Sequence, residues 1–162
     1  MTIIIRPANI DELPFLSRLC LRSKAVWGYD QTFLDACRSE LTLRPDDLSS
    51  SRVAVAETLG AVAGVVQVKV VATDADLLKL FIDPDRLRCG AGSALFRWAI
   101  EQARALGATR MIIEADPDAA AFYRRLGGLR HWVRTFRIDP RPISTETGPR
   151  SERTPLLNIG RY

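Results

Sequence analysis

Hydrophobic positions along the chain change between two spacings, one typical of strands and one typical of helices. Short β-rich runs that end at Pro, Gly or Asp predict strands, and apolar residues recurring three and four positions apart predict helices. The resulting order is a strand (2–6), helices (9–23 and 30–43), a polar turn (45–51), strands (52–57, 61–71 and 77–82), a helix ending near 106, a strand (108–115), a helix (118–126), a strand (129–138), a flexible connection (139–153) and a last strand (155–159).

The connections between these elements predict the sheet. Thr58-Leu59-Gly60 is short enough to join two antiparallel strands as a hairpin. The strands at 77–82 and 108–115 are separated by a helix of about 15 residues, so they should lie parallel with a right-handed crossover. The predicted fold class is therefore α+β, with a mixed, mostly antiparallel sheet and one parallel crossover at its centre.

Length and composition limit the class of protein. The 162 residues are 47% hydrophobic and 26% charged, which fits one globular domain over residues 1–162. Neither an apolar run of the roughly 20 residues that a membrane span needs nor a secretory signal is visible. Cys20, Cys37 and Cys89 are odd in number and widely spaced, which argues against a disulfide framework or a metal site. We expect a cytoplasmic protein that binds neither a membrane nor a metal.

The net charge of +4 is distributed unevenly. Residues 1–83 hold 9 basic and 11 acidic side chains, whereas residues 84–162 hold 14 and 8. The basic half is either a solvated surface or the source of an attractive field for an anionic ligand. Nucleic acid is disfavoured as that ligand, because the arginines are scattered and are not interleaved with aromatic residues.

The segment after the central strand has the pattern of an anion site. Asp83-Pro84-Asp85 ends the apolar run Leu77–Ile82, and Arg88-Cys89-Gly90-Ala91-Gly92-Ser93 precedes a helix. A strand, a glycine loop and a helix direct unsatisfied N–H groups and the positive end of the helix dipole at a bound anion. Gly90 and Gly92 would allow a phosphate to approach the backbone closely.

Two motifs together give a resemblance to a known family. The glycine spacing is not that of a P-loop, and the loop follows the middle strand rather than the first, unlike a dinucleotide-binding fold. Leu87-Arg88-Cys89-Gly90-Ala91-Gly92 and, about 30 residues later, Phe122-Tyr123-Arg124-Arg125-Leu126-Gly127 resemble the GCN5-related N-acetyltransferase (GNAT) superfamily. The sequence departs from the family pattern at Leu87, at Asp116 where Asn is common, and at Gly128 where an aromatic residue is common.

This resemblance implies a three-layer α/β/α fold whose central parallel strands splay apart to form a cleft for acetyl-CoA. The backbone of Leu80, Phe81 and Ile82 would pair with the pantetheine arm. Tyr123 would donate a proton to the leaving sulfur, the alternative being a tyrosine packed in the core. The further residues implied in cofactor binding are Leu87, Arg88, Cys89, Gly90, Ala91, Gly92, Ser93, Asp116 and Phe122.

The resemblance identifies the general base and the acceptor site less directly than it identifies the cofactor site. Asp76 aligns with the glutamate that acts as base in the histone-acetylating branch; Glu40, Glu57, Glu114 and ordered water are rivals. His131 is interpreted as structural, and Cys89 would face phosphates rather than the acyl group. Trp27, Tyr29 and Glu40 would line the acceptor pocket with the 139–153 connection, unless the two aromatics only fill the core.

Three functions remain open at this point. The first is an acetyl-CoA-dependent N-acetyltransferase acting on a primary amine of a small molecule or peptide. The second is a non-catalytic module that binds CoA as a sensor or docking domain, and the third is a nucleotide-binding regulator. The family resemblance also makes a homodimer plausible.

Overall fold

A computed structural model describes residues 2–26, 28–115, 120–126 and 135–138. Six strands form one sheet in the order in which they occur along the chain. The strands are β1 (Ile3–Pro7), β2 (Arg52–Thr58), β3 (Ala61–Val71), β4 (Asp74–Ile82), β5 (Arg110–Ala115) and β6 (Thr135–Ile138). The helices are α1 (Leu13–Ala25), α2 (Gln31–Leu41), α3 (Pro45–Ser50), α4 (Ala91–Ala105) and α5 (Ala120–Arg125), with 3-10 turns at Ile10–Glu12 and Pro84–Arg86.

The sheet confirms the predicted fold class. β1 to β4 pair successively in antiparallel fashion, and β4 pairs with β5 in parallel across the predicted helical crossover α4. A second parallel pairing, β5 with β6, goes beyond the single crossover that was predicted. A parallel pair needs a crossover connection, and the segment between β5 and β6, which contains the short helix α5, supplies it.

Helices cover both faces of the sheet and define two hydrophobic clusters. On one face, α1 and α2 pack Leu16, Leu19 and Cys37 against β2, β3 and β4. On the other, α4 and α5 pack against the opposite face of the same strands and against β5; this second cluster includes Leu80, Ile82, Leu95, Phe96, Met111, Ile113, Phe122 and Tyr123. The sheet is therefore the middle layer of three.

Local signals explain where three of the helical segments begin. The backbone N–H of Asn9 donates to Glu12 Oε2 at 2.8 Å, and Asp30 Oδ1 accepts the N–H of Phe33 at 2.7 Å, as N-terminal capping residues do. The polar turn predicted at 45–51 is wrong, because Pro45–Ser50 forms helix α3. Its first turn contains a proline and two aspartates, residues that favour a helix N-terminus.

Some predictions fall outside the described residues. These are the first part of the strand at 129–138, the 139–153 connection and the last strand at 155–159. None of the helices in the described ranges is both long and apolar enough to cross a bilayer.

Candidate active site

The parallel strands β4 and β5 separate after three residue pairs. Asp76 opposite Ile112 is the last pair in their ladder, although β4 continues to Ile82 and β5 to Ala115. β4 also contains a bulge at Leu78, since Gln67 of β3 pairs with Lys79 while Val68 pairs with Leu77. A bulge bends a strand and increases its twist, which accounts for the divergence. The backbone of β4 beyond Asp76 is therefore not paired with β5, and we call this unpaired region between the second halves of the two strands the candidate cleft.

The ladder with β3 decides which backbone groups of β4 face this cleft. The N–H of Asp83 donates to the carbonyl of Ala63 at 2.8 Å, so these two residues form a hydrogen-bonded pair. Bonded and non-bonded pairs alternate along an antiparallel ladder, and Phe81 opposite Val65 is therefore also a bonded pair. The N–H and C=O of Phe81 point to β3, and those of Leu80 and Ile82 point away from it. Of the three residues predicted to pair with the pantetheine arm, Leu80 and Ile82 have backbone groups directed at the cleft, and Phe81 does not.

The glycine loop at the end of the cleft presents free backbone donors. Arg88 and Gly90 have left-handed φ values of 61° and 84°, and Gly90 is the residue that precedes α4. The first bond within the helix runs from Ala94 N–H to the carbonyl of Gly90, at 3.1 Å. The amides of the three residues between them, Ala91 to Ser93, lie in the first turn, where N–H groups have no partner within the helix. This arrangement suits a phosphate group.

The comparison with known proteins agrees with this geometry. The model of the acetyltransferase (GNAT) family matches residues 20–128, which include the diverging strands, the glycine loop and the Phe122-Tyr123 motif. The chain belongs to this family. No curated protein is detectably similar to it in sequence.

Solved GNAT structures share the fold. A GCN5-related N-acetyltransferase from Ralstonia eutropha JMP134 is 23% identical, with a TM-score of 0.66, over 91% of this chain and 98% of that one. PaiA N-acetyltransferase from Thermoplasma acidophilum, solved with coenzyme A, is 17% identical, with a TM-score of 0.62, over 79% and 88% of the two chains. A GNAT acetyltransferase from Brucella melitensis, solved with acetyl-CoA, is 21% identical, with a TM-score of 0.57, over 78% and 82%.

Asp76 lies where the two GNAT strands part. Its neighbours Ala75 and Leu77 face α4, so alternation directs Asp76 to the face covered by α1 and α2. Burial and the charge of Asp74 raise the pKa of the Asp76 carboxyl, while Lys69, opposite on β3, acts in the other direction. Asp74 itself is held by Arg110 through two hydrogen bonds of 2.5 and 2.6 Å. A carboxylate with a raised pKa at the point where the strands part can accept a proton from a group bound there.

Tyr123 lies on the other face, in the cluster formed with α4. It is 8% exposed, and its ring packs edge-on against Phe96 and Phe122 at centroid distances of 5.4 and 5.3 Å. This packing fixes the orientation of the ring. Phe122 is also buried in this cluster, where its ring packs edge-on against Phe96.

Two of the residues predicted for the acceptor pocket are described: Tyr29 lies between α1 and α2, and Glu40 lies on α2. The Tyr29 ring stacks on Phe33 at 4.4 Å, and the ammonium group of the fully buried Lys24 lies 5.1 Å from the Tyr29 centroid and 5.6 Å from that of Phe33. One face of this aromatic pair is thus already in contact with a cation of the chain itself. Glu40, on α2, is half-buried.

A buried polar network on the same face was not predicted. Lys79 is 8% exposed and donates to Gln67 Oε1 at 2.8 Å, and Gln67 donates in turn to Asp47 Oδ1 and Ser51 Oγ at 3.1 and 3.0 Å. Burial lowers the pKa of Lys79, an effect that nearby Cys20, Asp47 and Glu40 oppose. Burial also raises the pKa of the Cys20 thiol to about 12. The sequence signal for the network is a polar residue between two apolar ones in each of two strands: Gln67 between Val66 and Val68, and Lys79 between Leu78 and Leu80.

Glu57, one of the alternative bases, is held in an ion pair, and three other predicted residues fall outside the described part of the chain. Glu57 is engaged by Arg6, whose Nε and Nη2 lie 2.9 and 2.7 Å from Glu57 Oε1, which makes it unsuited to act as a base. Trp27, Asp116 and His131 lie outside the described residues. Within the described part of the chain, no three side chains of His, Cys, Asp or Glu are grouped as a metal site requires.

Proposed function

We propose that this GNAT protein is an acetyl-CoA-dependent N-acetyltransferase that acts on a primary amine of a small molecule or peptide. The observation that carries the proposal is the arrangement of cleft and loop: β4 and β5 part at Asp76, and the glycine loop follows β4 after one 3-10 turn, Pro84–Arg86. An elongated molecule with a diphosphate at one end fits such a site, because strand-edge groups can bind its arm and helix amides its phosphates.

Each group of residues has a defined task in this proposal. Acetyl-CoA would supply an activated acetyl group as a thioester. Leu80 and Ile82 would hold the arm through their backbone, and Ala91, Gly92 and Ser93 would bind the diphosphate. The side chains of Arg88 and Cys89 and the turn at Leu87 would border it.

Asp76 would act as the general base and Tyr123 as the general acid. Asp76, directly or through one water molecule, would accept the proton that the amine loses as it forms the new C–N bond. Tyr123 would donate its hydroxyl proton to the sulfur as the C–S bond breaks, so that CoA leaves as a thiol. The burial of Tyr123 against Phe96 and Phe122 supports this role by limiting the orientations of its hydroxyl.

The test measures acetyl transfer from acetyl-CoA to a panel of primary amines, with the loss of thioester absorbance as the readout. In Tyr123→Phe we expect kcat to fall by about 10²-fold or more, with CoA affinity unchanged, since only a proton donor is removed. Phe96→Leu is the matched control, because it loosens the same aromatic cluster and keeps the hydroxyl. CoA binding without turnover, and without any effect of Tyr123→Phe, would instead support a non-catalytic CoA-binding module; competition by ATP or NAD would support a nucleotide-binding regulator.

The same panel of amines would identify the acceptor. A cytoplasmic location, a homodimer, a single domain over residues 1–162 and independence from metals stay predictions from the sequence.

A further inference from the structure

One buried side chain, Asp83, anchors the turn that leads from β4 into the glycine loop. Its carboxylate accepts the N–H of Asp85 at 3.0 Å through Oδ1 and the guanidinium of Arg22 at 2.6 Å through Oδ2. Its backbone N–H donates to Ala63 at 2.8 Å, and its carbonyl accepts the N–H of Arg86 at 2.9 Å. Asp83 therefore joins a strand, a turn and a helix at one point.

The ionic partner comes from a distant part of the chain. Arg22 belongs to α1, 61 positions before Asp83, and its side chain is 51% exposed, whereas that of Asp83 is 10% exposed. The carboxylate is thus largely removed from water while its cation is not. Removing one partner of such a pair leaves a charge without compensation, which is more costly than losing an exposed pair.

The loop beyond Asp83 needs external support. Arg88 has φ of 61°, a left-handed conformation that is unfavourable for a residue with a side chain. Backbone in such a conformation persists only where the surrounding structure holds it. On one side the loop is held by the first turn of α4, and on the other by the turn that Asp83 anchors.

The other end of the ion pair belongs to α1, the helix that ends beside the proposed acceptor pocket. Arg22 is two residues before Lys24, whose ammonium group contacts the Tyr29 and Phe33 rings. A contact from Arg22 to Asp83 therefore connects the helix on the acceptor side with the loop on the cofactor side.

We propose that Arg22 and Asp83 form a positioning pair that fixes the cofactor loop relative to α1, so that CoA affinity depends on a contact made by the acceptor-side helix. This inference rests on the proposed function and adds two residues to it. Neither side chain is required to touch the cofactor.

The experiment compares Arg22→Gln, Asp83→Asn, their double variant and Arg22→Lys in the full-length chain. Asn at position 83 keeps the size of the side chain and an oxygen for the Asp85 N–H, so only the ion pair is lost. Arg38→Gln is the matched control, because Arg38 makes an exposed pair with Asp35 at 3.2 Å on α2. The readouts are the CoA Kd by calorimetry, KM for acetyl-CoA, kcat, Tm and the rate of tryptic cleavage in the loop.

We expect Arg22→Gln and Asp83→Asn each to raise the CoA Kd and the acetyl-CoA KM about five- to tenfold, or about 1 to 1.4 kcal/mol, with kcat within about twofold. Arg22→Lys should restore most of the affinity, and the double variant should be no weaker than the worse single one, since both remove the same contact. Tryptic cleavage after Arg86 and Arg88 should become faster in the Gln and Asn variants.

The sign of the two effects separates positioning from simple electrostatics. An unspecific field effect on the anionic cofactor would make Arg22→Gln weaken binding and Asp83→Asn strengthen it, whereas positioning weakens it in both. Opposite signs, or an unchanged CoA Kd at any Tm, would overturn the positioning pair while leaving the proposed function intact. A wild-type chain that does not bind CoA would overturn both.

Discussion

Gly64 is the position where a single methyl group should most clearly disturb the cofactor side of the sheet. It lies in β3 opposite Ile82, at the end of β4 that forms the cleft. A Cβ atom at Gly64 would lie 2.5 Å from Ile82 Cδ1, 2.8 Å from the carbonyl oxygen of Phe81 and 3.1 Å from Leu95 Cδ1. Two of these distances are shorter than real Cβ contacts allow, and one of the two atoms belongs to the backbone.

The expected cost of Gly64→Ala follows from these contacts. Adding atoms to a packed core costs about 1–3 kcal/mol. Replacing a glycine within a strand by alanine returns about 0.5–1 kcal/mol, because the unfolded chain loses freedom. We expect a net loss of about 1–2 kcal/mol in the free energy of unfolding, which for a chain of this size lowers Tm by about 2–8 °C.

A double-mutant cycle tests this explanation by thermal and urea unfolding. Ile82→Val removes the Cδ1 atom that the new methyl group would meet, and by itself costs about 0.5–1.5 kcal/mol. In the double variant, Ile82→Val should relieve part of the clash, so the total loss should be smaller than the sum of the single losses by about 1 kcal/mol. The rescue should be partial, because the contact with the Phe81 carbonyl persists. Additive losses, or a Gly64→Ala variant as stable as the wild type, would refute the steric argument.

Three further predictions concern the proposed active site. Asp76 must be ionised to accept a proton, so kcat/KM should rise with pH through a pKa above the ordinary carboxyl value. Lys69→Gln should shift this rise in kcat/KM to higher pH, because Lys69 lowers the pKa of Asp76, and Asp76→Asn should remove the rise. Gly92→Asp should abolish CoA binding in calorimetry by like-charge repulsion while Ala105→Asp, which adds the same charge at the other end of α4, retains it. The half-buried Cys89 should react with iodoacetamide faster than the two buried cysteines, and saturating CoA should slow that reaction. Peptide mapping that shows no protection of Cys89 by CoA would contradict its proposed position beside the diphosphate.

The elements that could be predicted from sequence are those set by local patterns. The 15-residue helix α4 required a parallel crossover, and the Asn9–Glu12 capping pair marked the first helical segment, because both depend on residues close together in the chain. The turn predicted at 45–51 was wrong for a related reason. The polar composition of this segment is compatible with either a loop or a short solvated helix. Pro45 favours the helix, because proline is well suited to the first helical position.

Contacts between distant segments were beyond that kind of inference. Asp83 could be recognised as the end of a strand, but its partner Arg22 is 61 residues away and resembles any other arginine of a helix surface. The same holds for Lys79, whose position in an apolar run is unusual but whose network with Gln67 and Asp47 depends on how α3 packs on the sheet. In each case the pattern indicates an unusual residue, and only the packing supplies its partner.

The bulge at Leu78 shows why the face of a catalytic side chain cannot be counted from the sequence alone. Strict alternation along β4 would place Asp76 and Lys79 on opposite faces of the sheet. The extra residue reverses the alternation, so that Ala75 and Leu77 before it and Leu80 and Ile82 after it all face α4. Asp76 and Lys79 therefore share the face covered by α1 and α2. The bulge at Leu78 thus places the proposed base and the buried Lys79 on the same face as the proposed acceptor pocket. Substitutions at Asp76 and Lys79 should therefore change the KM for the amine rather than the KM for acetyl-CoA.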